Sequence, residues 1–328
     1  MPRSGFSMLL LVLLVACTTS APPTLLPSVP AVTATFTLLP PTATDVPTVT
    51  PTVTPPPLVP NFGHIAIIMF ENKEFGSVIG NPQMPTYNRL AADYTLLTQY
   101  YAIRHPSLPN YIALVGGDTF GIDTNCHDCF IDAPSLPDLI EASGRTWKTY
   151  QEDMPEPCFV GSTNLYAQKH NPFIYFDPIR LNPERCTRAI VPLTALQTDI
   201  ATNSLPDFMF IKPNICNDSH DCSLDVSDAW LTSLLMTLIP ALDATGESYF
   251  VAMLFEEGQG AHTCCGLQEP GGGRVPLVLY SPQARNGFED PTPYTHYSLL
   301  KTISAAWGLA YLGHAADESN ALIIEPWK

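Results

Sequence analysis

Four uninterrupted apolar runs constrain the fold of this chain more than any other feature of its sequence. They lie at positions 64–70 (HIAIIMF), 207–211, 249–255 and 275–280. A strand with one face in water alternates apolar and polar residues, whereas these runs do not alternate, so both faces of each strand must be covered. Stretches with a helical pattern lie between or beside them, at 87–93, 135–143, 227–239 and 296–306. This order predicts an α/β fold, with a mostly parallel central sheet sandwiched by helices.

The N-terminal residues 1–17 have the pattern of an export signal. An apolar run from Met8 to Ala16 follows a single arginine, and it is much shorter than the roughly 20 residues that a membrane-spanning helix needs. The run ends in LVAC, which resembles the lipobox of bacterial lipoproteins, and the resemblance implies a lipid anchor on Cys17. The alternative is an ordinary secretory signal cut near Ala21. Either signal predicts an exported bacterial protein, lipid-anchored on the outer face of the cell membrane or secreted.

Residues 18–60 form a segment of low complexity. Of these 43 residues, 12 are proline, 12 are threonine and one, Asp45, is charged. Without a periodic apolar face the segment cannot bury enough surface to fold, so we expect a disordered linker with extended, polyproline-like character. The remaining residues, 61–328, are numerous enough for one catalytic domain with a single core.

The charge of the chain excludes one class of partner. The chain has 15 Lys and Arg residues and 31 Asp and Glu residues, which gives a formal net charge of −16. Binding to the phosphate backbone of nucleic acids depends on a basic surface, which this composition does not supply. We therefore expect no nucleic-acid partner.

Polar side chains follow three of the four apolar runs. Glu71 and Asn72 follow the first, a segment that contains Asp218 and His220 follows the second, and Glu256 and Glu257 follow the third. In parallel sheets the carboxyl ends of the strands meet at one edge, where ligands bind. Several carboxylates at one edge would repel one another unless a cation lay among them. The positions alone therefore predict a metal site, although a single loop carboxylate is more often simply solvated.

A second candidate is Ser107, within the segment RHPSLPNY at 104–111. A serine at the start of a helix has its hydroxyl close to backbone N–H groups that lack partners, where an anion is stabilised. The residue type and position also suit a plain helix cap, and the segment alone favours the cap.

Five motifs in order are similar to those of one enzyme family. They are ENKEFG at 71–76, HPSLPNY at 105–111, KHNPF at 169–173, PNICNDSHD at 213–221 and FEEG at 255–258. Together they resemble the phosphoesterase family that includes bacterial and fungal acid phosphatases and phosphatidylcholine-type phospholipases C, within the alkaline-phosphatase-like superfamily. The resemblance covers essentially all of residues 62–328 and implies an alkaline-phosphatase-like fold.

The resemblance also implies roles for particular residues. Ser107 matches the family's nucleophile, which becomes transiently phosphorylated, and Lys169, His170 and His220 match residues that act on the phosphate. The implied metal ligands are Glu71, Asn72, Ser107, Asp218, Glu256 and Glu257. Glu256 departs from the family, which usually has Asp at that position, and this puts the coordination geometry in doubt. Oxygen ligands suit Ca²⁺, Mg²⁺ or Mn²⁺, while histidine leaves Zn²⁺ open as the divalent metal ion.

Three functions are compatible with these residues. The first is a metal-dependent acid-phosphatase-like phosphomonoesterase that acts on small phosphorylated substrates through a phosphoserine on Ser107. The second is a phospholipase C that acts on phosphodiester head groups, close to the membrane that the N-terminal anchor would reach. The third is a non-catalytic module that binds a phosphoester or a metal. A nucleophile is of little use to a binding module, so Ser107 distinguishes the third function from the first two.

Eight cysteines remain once Cys17 is set aside, and an even number in an exported domain predicts up to four disulfides. Eight cysteines allow 105 pairings. From spacing we expect Cys126 to pair with Cys129 and Cys216 with Cys222. We expect the adjacent Cys264 and Cys265 to pair elsewhere, because a bond between neighbours would strain the backbone.

Overall fold

A computed structural model describes residues 58–327. The signal peptide, Cys17 and the linker up to residue 57 lie outside the described residues, so those predictions stay as they were. Within residues 58–327, no helix is both long enough and apolar enough to cross a lipid bilayer.

The described residues contain a nine-stranded sheet. The strands are β1 (His64–Phe70), β2 (Thr95–Tyr101), β3 (Trp147–Gln151), β4 (Ile190–Pro192), β5 (Phe208–Lys212), β6 (Tyr249–Phe255), β7 (Arg274–Tyr280), β8 (Phe288–Asp290) and β9 (Tyr294–Thr295). The main path runs β4-β3-β5-β1-β6-β7-β2-β8, and β9 pairs with β2. Pairs are parallel except for those of β7, which lies antiparallel to both β6 and β2.

Helices connect the strands and cover the sheet. The α-helices are α1 (Phe75–Val78), α2 (Pro85–Asp93), α3 (Ser107–Gly116), α4 (Leu136–Ala142), α5 (Asp177–Arg180), α6 (Pro183–Ala189), α7 (Thr194–Ala201), α8 (Leu224–Thr245) and α9 (His296–Ala306). Short 3₁₀ helices occupy Gln168–His170, Pro172–Tyr175, Gly313–Ala316 and Glu325–Trp327.

The central strands confirm the prediction that the apolar runs form strands covered on both faces. All seven residues of β1 and all seven of β6 are buried, and β1 lies between β5 and β6 with parallel neighbours on both sides. A strand covered on both faces has no side chain that faces water, which is why these sequences show no alternation. The prediction of a mostly parallel α/β sheet is therefore correct, and β7 is its antiparallel exception.

The predicted helices are present with shifted ends. The N-terminus of α4 follows Ser135, whose hydroxyl and backbone N–H both bond the Asp138 carboxylate as part of a capping box. The helix predicted at 227–239 is longer, because α8 continues through Pro240 to Thr245 and ends at Gly246, whose φ is 72°. Glycine adopts this left-handed conformation without steric cost, so it terminates the helix.

The eight cysteines form four disulfides. The pairs Cys126–Cys129 and Cys216–Cys222 are as predicted. A third bond joins Cys158 to Cys186, which the spacing did not indicate. The expectation for Cys264 and Cys265 was wrong, since the two pair with each other across a Cα separation of 3.8 Å. Cys265 lies in the left-handed region, with φ of 60°, and this local conformation accommodates the bond between neighbours.

Candidate active site

The carboxyl ends of β5, β1 and β6 meet at one edge of the sheet and carry the acidic residues predicted from their positions. The backbone N–H of Glu71 donates to the carbonyl of Asp218, and that of Glu256 donates to the carbonyl of Phe70. The side chains of Glu71, Asp218 and Glu256 are fully buried, and Glu257 is 5 % exposed. Four carboxylates are thus concentrated where the parallel strands end.

Ser107 is the first residue of α3, and Pro106 occupies the capping position. Its hydroxyl donates to Oε1 of Glu257 at 3.2 Å and accepts from Nζ of Lys169 at 3.2 Å. A capping serine would accept from a backbone N–H of the first turn, and α3 has no such side-chain bond. The interpretation of Ser107 as a plain helix cap therefore does not hold in this structure. Its hydroxyl faces a base and a cation instead.

Glu71 binds three neighbours through its two carboxylate oxygens. Oε1 lies 2.7 Å from Nε2 of His170 and 3.3 Å from Nζ of Lys169, and Oε2 accepts from the hydroxyl of Tyr111 at 2.5 Å. Burial alone would raise the pKa of Glu71, but the positive charges of His170 and Lys212 outweigh it and hold the pKa well below its usual range. Glu71 is therefore an anion at neutral pH despite its burial.

Asp218 has a buried lysine as its partner. Nζ of Lys212, at the end of β5, donates to Oδ2 of Asp218 at 2.6 Å and lies 3.7 Å from Oε2 of Glu71. The same Oδ2 is 3.3 Å from Nδ1 of His170. Burial acts to raise the pKa of Asp218, but the charge of Lys212 and the bond to His170 lower it below its usual value. His170 thus lies between Glu71 and Asp218, with one ring nitrogen toward each.

Glu256 has a different environment from the other acids. Its Oε2 accepts from the backbone N–H of Asn72 at 2.7 Å, while its buried Oε1 has no hydrogen-bond partner among the described residues. Burial and the nearby charges of Glu71 and Glu257 raise the pKa of Glu256 well above its usual range. A buried oxygen without a donor is costly and calls for a positive ligand or a proton.

Glu257 connects Ser107 to a histidine. Its Oε2 lies 2.6 Å from Nδ1 of His105, whose other nitrogen donates to the carbonyl of Gly260 at 2.8 Å. Burial acts against a charged imidazole, but the bond to Gly260 and the charge of Glu257 raise the pKa of His105. Burial also raises the pKa of Glu257, against the opposing charge of His105. The contact with His105 therefore fixes the carboxylate of Glu257 in the loop after β6.

Lys169 reaches the site from the 3₁₀ helix Gln168–His170. Burial would lower the pKa of its ammonium group, but the charges of Glu71 and Glu256 raise the pKa above the usual value. Lys169 is thus a cation directed at the hydroxyl of Ser107, where a phosphoryl group would carry negative charge.

The imidazole of His220 lies at the exposed rim. Its backbone N–H donates to Oδ1 of Asp218 at 2.8 Å, and its Nδ1 lies 2.6 Å from Oδ1 of Asp221. The rings of His220 and His170 are 6.2 Å apart between centroids. The structure therefore brings Ser107, Lys169 and His170 into one contact network with Glu71, Asp218 and Glu257. The side chain of Glu256 is held separately by the Asn72 N–H, and His220 lies beside the network with an open side toward solvent.

The residues present fit a divalent cation. Among the residues at 58–327, ligand atoms of Glu71, His170 and Asp218 all lie within 4.8 Å of one another. Glu256 lies outside this cluster, but its buried Oε1 is a further carboxylate oxygen without a hydrogen-bond donor among the described residues. This set mixes hard oxygen with one imidazole nitrogen, a combination that suits Mn²⁺ and Zn²⁺ as well as Mg²⁺. Asn72 contributes through its backbone N–H, which donates to Oε2 of Glu256 and fixes that side chain.

Three residues of the site were not assigned a role from the sequence. Lys212 is the last residue of β5 and is 1 % exposed. The sequence signal that could have identified it is a lysine directly at the end of an apolar run. Tyr111 lies one helical turn after Ser107 on α3, and its ring stacks on that of His170 with centroids 5.4 Å apart. His105 was within the recognised motif, but only the folded loop shows that it contacts Glu257.

Known proteins are similar to this chain over most of the described residues. The profile of the Phosphoesterase family matches residues 80–310. The phosphate-repressible acid phosphatase of Penicillium chrysogenum is 35% identical over 80% of this chain and 63% of its own length. An acid phosphatase of Aspergillus fumigatus is 32% identical over 80% of this chain and 59% of its own length. The phosphatidylinositol-3-phosphatase of Mycobacterium tuberculosis is 32% identical over 79% of this chain and 81% of its own length. The chain thus spans about three fifths of the fungal relatives.

Solved structures are similar in fold at much lower identity. A protein of the alkaline phosphatase superfamily from Vibrio parahaemolyticus is 12% identical with a TM-score of 0.52, over 80% of this chain and 72% of its own. The lipoteichoic acid synthase of Listeria monocytogenes is 11% identical with a TM-score of 0.54, over 79% of this chain and 77% of its own. These similarities confirm the alkaline-phosphatase-like fold that the motifs implied.

Proposed function

The chain belongs to the phosphoesterase family, and from this membership we propose that it is a metal-dependent phosphomonoesterase that works through a phosphoserine on Ser107. The observation that carries the proposal is the environment of the Ser107 hydroxyl. It lies 3.2 Å from a carboxylate oxygen that can accept its proton and 3.2 Å from an ammonium group that can bind a phosphoryl oxygen. A nucleophile, a base and a cation at one helix N-terminus are the groups that phosphoryl transfer needs.

The residues of the chain define the first half of the reaction. The oxygen of Ser107 attacks phosphorus, the bond between phosphorus and the ester oxygen breaks, and the serine proton passes to Glu257. Lys169 binds a phosphoryl oxygen as negative charge develops. His220, at the open rim, gives a proton to the departing alkoxide.

The second half restores the enzyme. A water molecule attacks the phosphoserine, its proton passes to His220, and its hydroxyl stays on the phosphate that leaves. The bond between Ser107 and phosphorus breaks, and Ser107 regains its proton from Glu257. All groups then have their starting protonation states, so the cycle consumes one ester and one water.

Glu71, His170 and Asp218 would hold a divalent cation, and the unpartnered Oε1 of Glu256 is a further oxygen that could serve it. When bound, such an ion polarises a phosphoryl oxygen and lowers the pKa of a hydroxyl that it touches. The chain's own contribution is to fix these side chains: Tyr111 orients Glu71, Lys212 orients Asp218, and Asn72 orients Glu256.

We also propose that the protein works outside the cytoplasm, anchored by a lipid on Cys17 or secreted. Four disulfides among the described residues support this proposal, because such bonds persist in oxidising compartments. Labelling of the wild-type chain by a radioactive fatty acid in a bacterial host, and loss of the label in Cys17→Ala, would support the anchor. An unlabelled wild-type chain would contradict it.

The experiment that tests the activity compares a monoester with a diester. The purified full chain, supplied in turn with Mg²⁺, Ca²⁺, Mn²⁺ and Zn²⁺, should hydrolyse p-nitrophenyl phosphate faster than bis-p-nitrophenyl phosphate. Ser107→Ala should lose at least about a thousandfold in kcat. Ser233→Ala, an exposed serine on α8, is the matched control and should keep wild-type activity. Preference for the diester, or for phosphatidylcholine, would favour the phospholipase C function instead. Binding without turnover would favour the non-catalytic module.

A further inference from the structure

Glu74 carries a carboxylate that the proposed reaction does not use. It follows β1 by four residues. Its Oε2 accepts from the backbone N–H groups of Gln259 and Gly260, both at 2.9 Å, and its Oε1 accepts from that of Arg274 at 3.1 Å. One side chain thus joins the loop after β6 to the first residue of β7 through three hydrogen bonds.

Two glycines let the backbone close around this carboxylate. A Cβ atom at Gly258 would lie 2.2 Å from Oε2 of Glu74, and one at Gly273 would lie 2.8 Å from the same oxygen. The two segments also bond each other directly, since the N–H of Gly258 donates to the carbonyl of Gly272 at 2.7 Å. A side chain at either glycine would therefore displace the carboxylate from its three donors.

Backbone groups, more than cations, hold Glu74. Among residues 58–327, its one ion pair is with His262, whose Nδ1 lies 3.6 Å from Oε1 and whose side chain is 75 % exposed. The guanidinium of Arg274 lies over the ring of Phe75, 4.2 Å from its centroid. An exposed ion pair contributes little, so the contacts that fix this carboxylate are the three N–H groups.

The loop that Glu74 binds carries the acceptor for His105. The carbonyl of Gly260 accepts from Nε2 of His105 at 2.8 Å. Nδ1 of the same ring lies 2.6 Å from Oε2 of Glu257, and Oε1 of Glu257 accepts from the Ser107 hydroxyl at 3.2 Å. A continuous series of contacts therefore leads from Glu74 through the loop to the nucleophile.

Two parts of this series need support from outside. The side chain of His105 is 39 % exposed, so packing alone does not fix its ring. Two of the three residues at 258–260 are glycine, the residue with the greatest backbone freedom. The bonds from Glu74 to the N–H groups of Gln259 and Gly260 restrict this freedom and so hold the Gly260 carbonyl toward His105.

We propose that Glu74 is a positioning residue for the phosphoryl transfer. It fixes the loop after β6, so that the Gly260 carbonyl orients His105. His105 in turn orients Glu257, which accepts the proton of the nucleophile. Because Glu257 takes a proton and does not bind the phosphate, its misplacement slows the chemical step and leaves substrate binding unchanged. This inference rests on the proposed function, since it adds a residue to the same reaction.

The first measurement is hydrolysis of p-nitrophenyl phosphate by the metal-supplied full chain. Glu74→Gln keeps the shape of the side chain, but its amide has a single oxygen and its NH₂ group would face a backbone N–H. We expect kcat to fall about tenfold, with KM within about twofold of the wild-type value.

Asp207→Asn is the matched control. The side chain of Asp207 is 26 % exposed, against 24 % for Glu74, and it accepts from the backbone N–H of Thr146 at 2.7 Å. Asp207 precedes β5 and so lies at the sheet edge opposite the site. Asp207→Asn should lower the melting temperature as Glu74→Gln does, and it should keep the wild-type kcat.

A double-mutant cycle tests the route of the effect. His105→Ala alone should reduce kcat at least about tenfold. If Glu74 acts through His105, Glu74→Gln in the His105→Ala background should reduce kcat by no more than about twofold further. A general loosening of the structure would multiply the two losses. If Glu74→Gln does not fold, Glu74→Asp, which keeps the charge with a shorter reach, replaces it in the same cycle.

The outcomes separate this inference from the proposed function. A wild-type kcat in Glu74→Gln, or losses that multiply in the double variant, would overturn the inference while the wild-type chain still hydrolyses the ester through Ser107. A wild-type chain without phosphomonoesterase activity would show that the proposed function is wrong, and this inference with it.

Discussion

The hydroxyl of Tyr111 donates a 2.5 Å hydrogen bond to Oε2 of Glu71, which ties the helix that carries Ser107 to the end of the central strand. Ser107 and Tyr111 are four residues apart, so both lie on one face of α3. This bond between two buried side chains thus helps to fix the position of the nucleophile relative to the buried acids, together with the contacts of Ser107 to Glu257 and Lys169.

Tyr111→Phe should therefore impair catalysis more than it impairs folding. Loss of the donor leaves Oε2 of Glu71 without Tyr111 and loosens α3 at the site, so kcat should fall about tenfold or more. Tyr249→Phe removes a similar bond, from Tyr249 to Asp243, at the opposite end of β6. It should lower thermal stability by a comparable amount and leave kcat unchanged. Equal kcat values for the two variants would contradict this role of Tyr111.

Lys212 should matter chiefly for stability. Its ammonium group is buried between Asp218 and Glu71, and Lys212→Met would leave those carboxylates with one fewer cation. Loss of one partner from a buried pair costs about 3–5 kcal/mol, which urea unfolding of the metal-free protein can measure. Lys148→Met breaks a more exposed pair with Asp199 and should cost much less. A loss below about 1 kcal/mol for Lys212→Met would contradict this account.

Stability should fall in weak acid because of His296. Burial outweighs the bond to the Glu256 carbonyl and lowers the pKa of His296 from 6.5 to about 4. As pH falls below 6.5, the unfolded chain binds a proton that the folded protein does not, so the free energy of unfolding decreases. The decrease continues until about pH 4 and totals about 3 kcal/mol. Below about pH 4 this histidine adds no further change.

The measurement is urea unfolding at several pH values between neutrality and about pH 4.5. His296→Gln should show a shallower decrease than wild type, because its side chain does not titrate. His262→Gln, at an exposed histidine, should follow the wild-type curve. Parallel curves for wild type and His296→Gln would show that another group causes the loss.

Glu256→Gln should have opposite effects with and without metal. Burial and the charges of Glu71 and Glu257 raise the pKa of Glu256 well above its usual range, so its ionised form destabilises the metal-free fold at neutral pH. A neutral amide should raise the stability of the chelated protein, by about 1–3 kcal/mol. It should also reduce the gain in melting temperature that a divalent ion gives.

Thermal unfolding with a chelator and with each divalent ion tests this. Glu247→Gln, at a surface position, is the control and should respond to metal as wild type does. If no divalent ion raises the melting temperature of the wild type, or if hydrolysis survives complete chelation, metal dependence is wrong.

The sequence predicts the fold well where burial dictates the residue pattern. β1 and β6 are covered on both faces, so their apolar runs are unambiguous, and the acids that follow them lie at the shared edge of the sheet. The edge strands β4, β8 and β9 contain only two or three residues, and no periodicity is visible at that length. Their positions depend on tertiary contacts that local sequence does not record.

The site was predictable in its residue types and less so in its contacts. Position alone indicated Glu71, Glu256 and Glu257, whereas the pairing of Lys212 with Asp218 depends on how the loop after β5 folds back. The bond between Cys264 and Cys265 shows the same limit, since the spacing argues against it and the folded loop nevertheless forms it.

The most direct test of the central claim is detection of the phosphoserine. Wild-type protein is mixed with p-nitrophenyl phosphate in the presence of its activating metal, quenched in acid during turnover, digested, and analysed by mass spectrometry. The account predicts one added phosphoryl group on the peptide that contains Ser107, and none in Ser107→Ala, which should also lack turnover. Continued turnover by Ser107→Ala, with no phosphorylated peptide in the wild type, would contradict it.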